Sequence, residues 1–329
     1  MSTIQEVAKK ANVSVSTVSR AFREDASISQ DKKQRVLAVA NELGYSPNLL
    51  ARGLKSSSTK TVGVICSITT PFYVDIVNSI ELELQKLGYR MLLGPNVASA
   101  ERERYYLELM AGFQVAGIIF LPAENNNESY IRQLCRKGIS MVQMFRYPYD
   151  FLDSVVVDDE RGAYLAAETL LKAGHRRILL LDVSVSFAYQ RSAGYIKAFQ
   201  ERDLPVDRDL IQCVNSVSLE EMHSLLERLK PTAVISGVHD VGRMLVKYSQ
   251  EYHVDIPGEL SVIMFDNVEW MELMQFAAIA QPIDYIGRSA SRLLTDRIQH
   301  ICDSDSPVSL VVQPRLISRA SVKTLSTDK

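Results

Sequence analysis

The chain is short of the residues that carry most enzyme chemistry. It has four cysteines in 329 residues, and Cys66, Cys135, Cys213 and Cys302 lie far apart with no C-x-x-C pair. That spacing excludes a disulfide framework and reads as buried free thiols of a reducing compartment. The five histidines, His175, His223, His239, His253 and His300, are scattered without metal-ligand spacing. There is no G-x-G-x-x-G, no Walker loop and no G-x-S-x-G elbow, so nucleotide chemistry and hydrolase chemistry both lack a motif. Asp158 and Asp159 form an acidic pair, but adjacent residues at a strand end point in different directions. No apolar run approaches the ~18 residues of a membrane span, and the first helix follows no apolar leader. The expectation is a cytoplasmic protein that is not an enzyme, with no cofactor, no metal site and no membrane segment.

What is present is enough apolar residue, 47% against 23% charged, to build two or three domains with a large core. The net charge of −2 is uninformative until it is divided along the chain. Residues 1–60 hold ten Lys and Arg against five acids, a head of +5, which leaves −7 for the rest. A basic head on an acidic body suggests that only the head meets phosphate.

Within the head, Thr3 to Phe22 reads TIQEVAKKANVSVSTVSRAF. Thr3 with Glu6 makes a capping box, and Ile4, Val7, Ala8 and Ala11 fall on one helical face. Asn12 suits a turn that needs positive φ. Ser14 can cap a second helix that buries Val18, Ala21 and Phe22 and leaves Ser16, Thr17, Ser19 and Arg20 as a polar surface. The pattern fits an ordinary helical hairpin, and equally a helix-turn-helix whose second helix suits a DNA major groove. A third helix is expected over 31–43, with Val36, Leu37, Ala40 and Leu43 buried and Gly44 ending it. Pro47 can open a fourth, short helix through Leu54 and Lys55. Alone it is marginal in water; it is either a linker or a hinge that folds only on DNA.

At Thr61 the pattern changes. Strands over 62–66, 89–93, 116–121, 139–145 and 154–157 alternate with helices over 72–87, 101–113 and 130–137. The alternation resumes with helices over 161–173, 189–202, 220–229, 241–252 and 283–301, and strands over 177–181, 232–235, 260–265 and 279–281. Such alternation implies parallel sheets covered on both faces, an α/β fold in two doubly wound halves with a ligand cleft at the carboxyl ends of their strands.

These residues carry a resemblance that runs the length of the chain. Val7-Ala8, Val13-Ser14, Thr17-Val18-Ser19-Arg20, Glu42 to Asn48 (ELGYSPN), Ala51 to Lys55 (ARGLK), Pro71-Phe72, Ala173-Gly174-His175-Arg176, Arg191, Phe265-Asp266-Asn267 and Pro314-Arg315-Leu316-Ile317 together resemble the lactose-repressor/galactose-repressor family, in style its purine-repressor branch. The resemblance implies a helix-turn-helix domain at 1–46, a hinge at 47–60, and a periplasmic-binding-protein-like effector and dimerisation domain at 61–329. Its subdomains are expected at 61–160 with 291–319 and at 161–290 with 320–329. It further implies a homodimeric regulator, usually a repressor, that binds palindromic operator DNA and answers to a small-molecule effector, here a sugar or sugar derivative. A transport-type binding protein shares the two-lobed body but has no use for residues 1–60.

The family's base-reading positions are Val15, Ser16 and Arg20 in this chain. Arg20 can fork onto a guanine edge, Val15 can pack on a thymine methyl, and Ser16 can bond a donor or an acceptor. Thr3, Thr17 and Ser19 suit phosphate contacts. Leu54 stands at the family's minor-groove wedge, with Lys55 beside it; the alternative for Leu54 is packing on Leu49 and Leu50. For the effector the resemblance implies Asp266 and Arg191 as polar anchors and Phe72 and Tyr73 as a wall. Trp270, the only tryptophan, suits stacking on a sugar face or packing in the core. Arg146 adds a cation at the rim that would admit an acidic or phosphorylated sugar. Departures are visible. Met264 precedes Phe265-Asp266-Asn267, Phe276-Ala277-Ala278 replaces a proline pair, and His239 is expected where the family has a strand-end Asp. Val185 stands where the purine branch carries a guanine-reading Arg, which argues against a purine corepressor.

Overall fold

Residues 2–22, 28–46, 59–96, 99–123, 127–183, 188–214, 217–301 and 306–325 are described by a computed structural model. The chain divides into two units, residues 1–59 and 60–329.

In the first unit three helices bury a small core. Helix α1 (Ile4–Lys10) opens on the expected capping box: Thr3 Oγ1 accepts from the Glu6 N–H, and the Glu6 carboxylate accepts from the Thr3 N–H at 2.7 Å. Asn12 turns the chain at φ +54°, and Ser14 caps α2 (Val15–Ala21) by accepting from the Thr17 N–H. Helix α3 (Gln30–Glu42) closes the unit, and Gly44 leaves it at φ +60°, a conformation that favours glycine. Val7, Ala8, Ala11, Val18, Ala21, Val36 and Ala40 form the core. Leu37 does not join them: it is 38% exposed, and Val39 packs there instead. Positions 36, 39, 40 and 43 keep the i, i+3, i+4, i+7 spacing, and Leu37 lies about 100° around the helix from Val36. The expected hinge, with Pro47, Leu54 and Lys55, lies outside the described residues.

The second unit holds two sheets. The first is built from β1 (Thr61–Cys66), β2 (Arg90–Pro95), β3 (Gly117–Phe120), β4 (Ser140–Met144), β5 (Asp153–Val157) and β11 (Ser309–Val312). Its order is β11-β5-β4-β3-β1-β2, all parallel. Helices α4 (Pro71–Lys86), α5 (Ala100–Gly112) and α6 (Glu128–Arg136) connect its strands. The second sheet is built from β6 (Ile178–Val183), β7 (Ile211–Val214), β8 (Ala233–Ser236), β9 (Ser261–Phe265), β10 (Ala277–Ala280) and β12 (Arg315–Ile317). Its order is β12-β10-β9-β8-β6-β7, with only β12 antiparallel. Around it lie α7 (Asp159–Lys172), α8 (Ala188–Gln200), α9 (Leu219–Leu229), α10 (His239–Glu251) and the short α11 (Glu269–Leu273). Strands β3, β8 and β9 are buried end to end, as strands covered on both faces must be.

The chain passes between the lobes three times, at residue 158, at 281–282 and at 313–314. The lobe boundaries therefore differ from those expected. Helix α12 (Ile283–Ile298) belongs whole to the first lobe, where it packs on α4: Ser79 Oγ donates to the Asp284 carbonyl at 3.3 Å, and Arg292 Nε donates to Glu83 at 2.7 Å. Residues 315–317 return to the second lobe and pair with Ala278–Ala280. Gln313 Nε2 donates to Asp158 Oδ2 at 3.1 Å and so ties two of the three crossings together. Strands β7, β11 and β12 are edge strands with partly exposed residues, so they lack the continuous apolar run that marks β3, β8 and β10, and helix α11 is only about a turn and a half long.

Candidate functional site

On the head, the exposed face of α2 carries Val15, Ser16 and Arg20, with Val18 turned into the core. Val15 is 40% exposed although apolar. Ser14 organises this face as well as capping the helix. Its Oγ shares hydrogen bonds of 2.8 Å with Ser16 Oγ and with Thr17 Oγ1. Ser19 is half-buried and Thr3 is exposed beside the start of α1. The arrangement offers one apolar contact, a set of oriented hydroxyls and one guanidinium within two helical turns. Leu54 and Lys55 lie outside the described residues.

In the body, the carboxyl ends of the strands gather a buried set of charges. Arg191 projects from α8 and is 4% exposed. Its Nε donates to Asp159 Oδ1 at 2.8 Å, and its Nη1 donates to Asp182 at 3.2 Å and to the Gly237 carbonyl. Its guanidinium carbon lies 4.1 Å from the centre of the Phe265 ring, a cation–π contact. Burial acts against its charge, but the carboxylates of Asp159, Asp182 and Asp266 outweigh burial and hold the guanidinium more firmly protonated.

Asp266 follows β9 with φ +62°, a strained conformation for a side chain other than glycine. Its Oδ1 accepts from Gln281 Nε2 at 2.7 Å, and the His239 main-chain N–H lies near enough to the same carboxylate to favour its charged form. Burial pushes its carboxyl up to about 6; Asp159 adds to that, while Arg191, Gln281 and the His239 N–H oppose it. Burial likewise raises Asp159, against the pull of Arg191.

The first lobe supplies an aromatic wall. Phe72 and Tyr73 open α4, and Phe145 follows β4 at φ +63°. Their ring centroids are 5.2, 5.6 and 6.0 Å apart. The Tyr73 hydroxyl is raised by burial and then by the Asp266 carboxylate, and lowered by Arg146 and Arg191. Tyr73 thus shares one electrostatic environment with Asp266 and Arg191 of the opposite lobe. Arg146 is 8% exposed and donates through Nη1 to the Pro122 carbonyl at 3.4 Å. Nearby Glu103, fully buried, accepts from the Ala123 N–H at 2.6 Å and from Asn127 Nδ2 at 2.8 Å. Burial raises Glu103, and Arg146 opposes that shift. Gln190 Nε2 of the second lobe donates to the Tyr147 hydroxyl of the first at 2.8 Å.

Trp270 is half-buried on α11. It packs edge-on against Phe276 with centroids 6.1 Å apart and donates through Nε1 to His239 Nδ1 at 3.3 Å.

The structure therefore gathers Tyr73, Arg146, Arg191 and Asp266 into one field, with Phe72 beside Tyr73. His239 does not stand in for a strand-end carboxylate, because it is the first residue of α10. The carboxylate in that space belongs to Asp182, one strand over. A Cβ on Gly237 would lie 2.3 Å from the Asp182 carboxyl carbon, so the small residue and the neighbouring acid occupy the space jointly. Asp158 and Asp159 diverge as neighbours should: Asp158 caps α7 and Asp159 turns inward to Arg191. Sequence reasoning missed Asp182, Glu103 and Gln281. Only the Asp that ends the apolar run Ile178 to Leu181 offers a signal, an acid placed where a buried strand meets the cleft. Val185 lies outside the described residues.

Residues 3–48 match the bacterial regulatory proteins of the lacI family, and residues 167–322 match a periplasmic binding protein-like domain. The chain is 31% identical to the HTH-type transcriptional regulator DegA of Bacillus subtilis, across 99% of each chain. It is 30% identical to the HTH-type transcriptional repressor PurR of Escherichia coli O139:H28, across 98% of this chain and 97% of that one. Among solved structures, the transcriptional regulator CelR in complex with cellobiose is 25% identical. It superposes with a TM-score of 0.70 over 98% of this chain and all of that one.

Proposed function

The chain belongs to the lacI family of bacterial regulatory proteins, and from that premise we propose that a sugar or sugar derivative enters the cleft of the body and sets the affinity of the head for operator DNA. As a member of that family it is a DNA-binding transcriptional regulator with an effector domain. It acts as a repressor. Its working unit is a homodimer that sets two heads in successive major grooves of a near-palindromic operator. Val15, Ser16 and Arg20 read base edges, Thr3, Thr17 and Ser19 hold phosphates, and Leu54 with Lys55 enters the central minor-groove step. Effector binding changes the closure of the two lobes and biases hinge ordering, with a coupling of about 1–3 kcal/mol.

The observation that carries the effector reading is the buried Asp266 beside Arg191, in one electrostatic field with Tyr73 of the opposite lobe. A carboxylate and a guanidinium suit hydroxyls, and the rings of Phe72, Tyr73 and Trp270 suit the apolar face of a sugar. The cellobiose complex of a regulator with the same fold supports the same chemistry. Arg146 would by itself admit a phosphate. Three buried carboxylates (Asp159, Asp182 and Asp266) act on Arg191, and a fourth, Glu103, acts on Arg146. That excess of negative charge favours an uncharged sugar over a phosphorylated one.

The test is operator binding by the purified protein. Fragments are selected from its genome and then titrated at fixed salt with a sugar panel that includes phosphorylated members. Release by one unphosphorylated sugar is expected. A response only to phosphorylated sugars would overturn the charge argument, and binding that appears only with a compound would make the protein a corepressor-dependent regulator. Failure to select any fragment would remove the regulatory reading of the head.

A further inference from the structure

Helix α10 begins at His239, and this residue touches both polar and aromatic parts of the cleft. Its main-chain N–H lies near the Asp266 carboxylate and favours its charged form. Its Nδ1 accepts from Trp270 Nε1 at 3.3 Å, with ring centroids 5.8 Å apart and planes at 55°. An indole N–H only donates, so Nδ1 must present a lone pair and the ring proton must sit on Nε2. Nε2 faces Asp240 Oδ1 at 4.0 Å, which suits that tautomer. We propose that His239 is a positioning residue of the effector site: in its neutral form one side chain and one main-chain N–H hold the Trp270 indole and the Asp266 carboxylate in register. The inference rests on the reading that this cleft takes the effector, but its test does not.

Protonation makes Nδ1 a donor facing a donor. The indole then loses its partner while the main-chain N–H keeps its place beside Asp266. The groups that set this equilibrium are few. Burial disfavours the imidazolium, Asp240 on the same helix favours it, and Arg243 one turn on opposes it. The net effect lowers the histidine from its ordinary value of 6.5. From β9, Asp266 approaches the main chain of His239; from α11, the indole of Trp270 is the contact.

Trp270 is the only tryptophan, so the emission of the intact protein without ligand reports this contact directly. As pH falls below 6.5, indole emission should drop as the adjacent ring becomes a cationic quencher, and its maximum should move to the red. His239→Gln supplies a carbonyl acceptor that does not titrate. It should keep the emission maximum of the parent at neutral pH and lose the acidic step. His239→Ala should show the red-shifted emission at every pH. Far-UV circular dichroism checks that each variant is folded. Asp266 titrates in an overlapping range, so Asp266→Asn is the control and should retain the step. A parent emission with no acidic step before the fold itself is lost, as followed by far-UV circular dichroism, or a step that persists in His239→Gln, would overturn the proposal. Should no sugar alter the emission while the acidic step is present, the effector reading fails and only the His239–Trp270 contact stands.

Discussion

Gln281 Nε2 donates to Asp266 Oδ1 at 2.7 Å, and Gln281 sits in the second of the three segments that pass between the lobes. The anchor carboxylate is thus bonded directly to a hinge. A ligand hydroxyl that bonds Asp266 must either share Oδ1 with Gln281 or displace it, and displacement frees the crossing. Gln281→Leu should still bind effector, because it leaves both oxygens of the Asp266 carboxylate free to accept from a ligand hydroxyl. It should lose most of the effector-induced change in operator affinity. Operator titrations with and without effector measure both quantities, and unchanged coupling would remove Gln281 from the relay.

Gly237 and Asp182 should behave as one unit. Gly237→Ala places a methyl 2.3 Å from a carboxyl carbon that Arg191 holds in place. Something must shift, at a cost of about 1–3 kcal/mol. Asp182→Ala leaves Arg191 short of one buried partner and costs about 3–5 kcal/mol. In the double variant the methyl enters the vacated space, so the summed loss should exceed the measured one by more than about 0.5 kcal/mol. Urea denaturation of the four proteins checks this; strict additivity would mean that the two residues are independent.

The fold was legible where chemistry repeats along the chain. Capping at Thr3 and Ser14, the turn at Asn12 and the alternation of apolar strands with amphipathic helices each depend on near neighbours. Arg191 and Asp266 were legible through resemblance. Asp182 was not, because a buried parallel strand reads as a plain apolar run and says nothing of which strand lies beside it. Nor was the return of Arg315–Ile317 to the second lobe, since two residues of connection carry no pattern that distinguishes one sheet from the other. Leu37 was misplaced because it lies about 100° around the helix from Val36, outside the stripe formed by positions 36, 39, 40 and 43.

Asp266 should make the protein less stable than it needs to be. Its carboxyl lies at about 6 in the folded chain against an ordinary 3.8. The folded state therefore holds the proton more tightly than the unfolded one. Stability from this group is fully present below about pH 3.8 and is lost as pH rises through 6. A displacement of that size corresponds to about 3 kcal/mol as an upper figure. Asp266→Asn should unfold at higher urea than the parent at pH 7.5, and the gap should close between pH 6 and pH 4. The same variant should no longer respond to effector. A parent that is the more stable of the two at pH 7.5 would contradict the sign.

Ser14 separates folding of the head from DNA binding. Its hydroxyl caps α2 and also bonds the hydroxyls of Ser16 and Thr17. Ser14→Ala removes both roles, so the head should lose about 1 kcal/mol and specific operator affinity should fall several-fold. Ser14→Asp keeps a cap, because a carboxylate accepts the same N–H and suits the positive end of the helix. Its stability should match the parent. Yet it places a negative charge on the face that meets phosphate, and operator affinity should fall further than in Ser14→Ala, most steeply at low salt, where charges are least screened. Thermal melts of the head and operator titrations at two salt concentrations measure the two effects. If Ser14→Asp bound operator as the parent does, the exposed face of α2 would not be the surface that meets DNA.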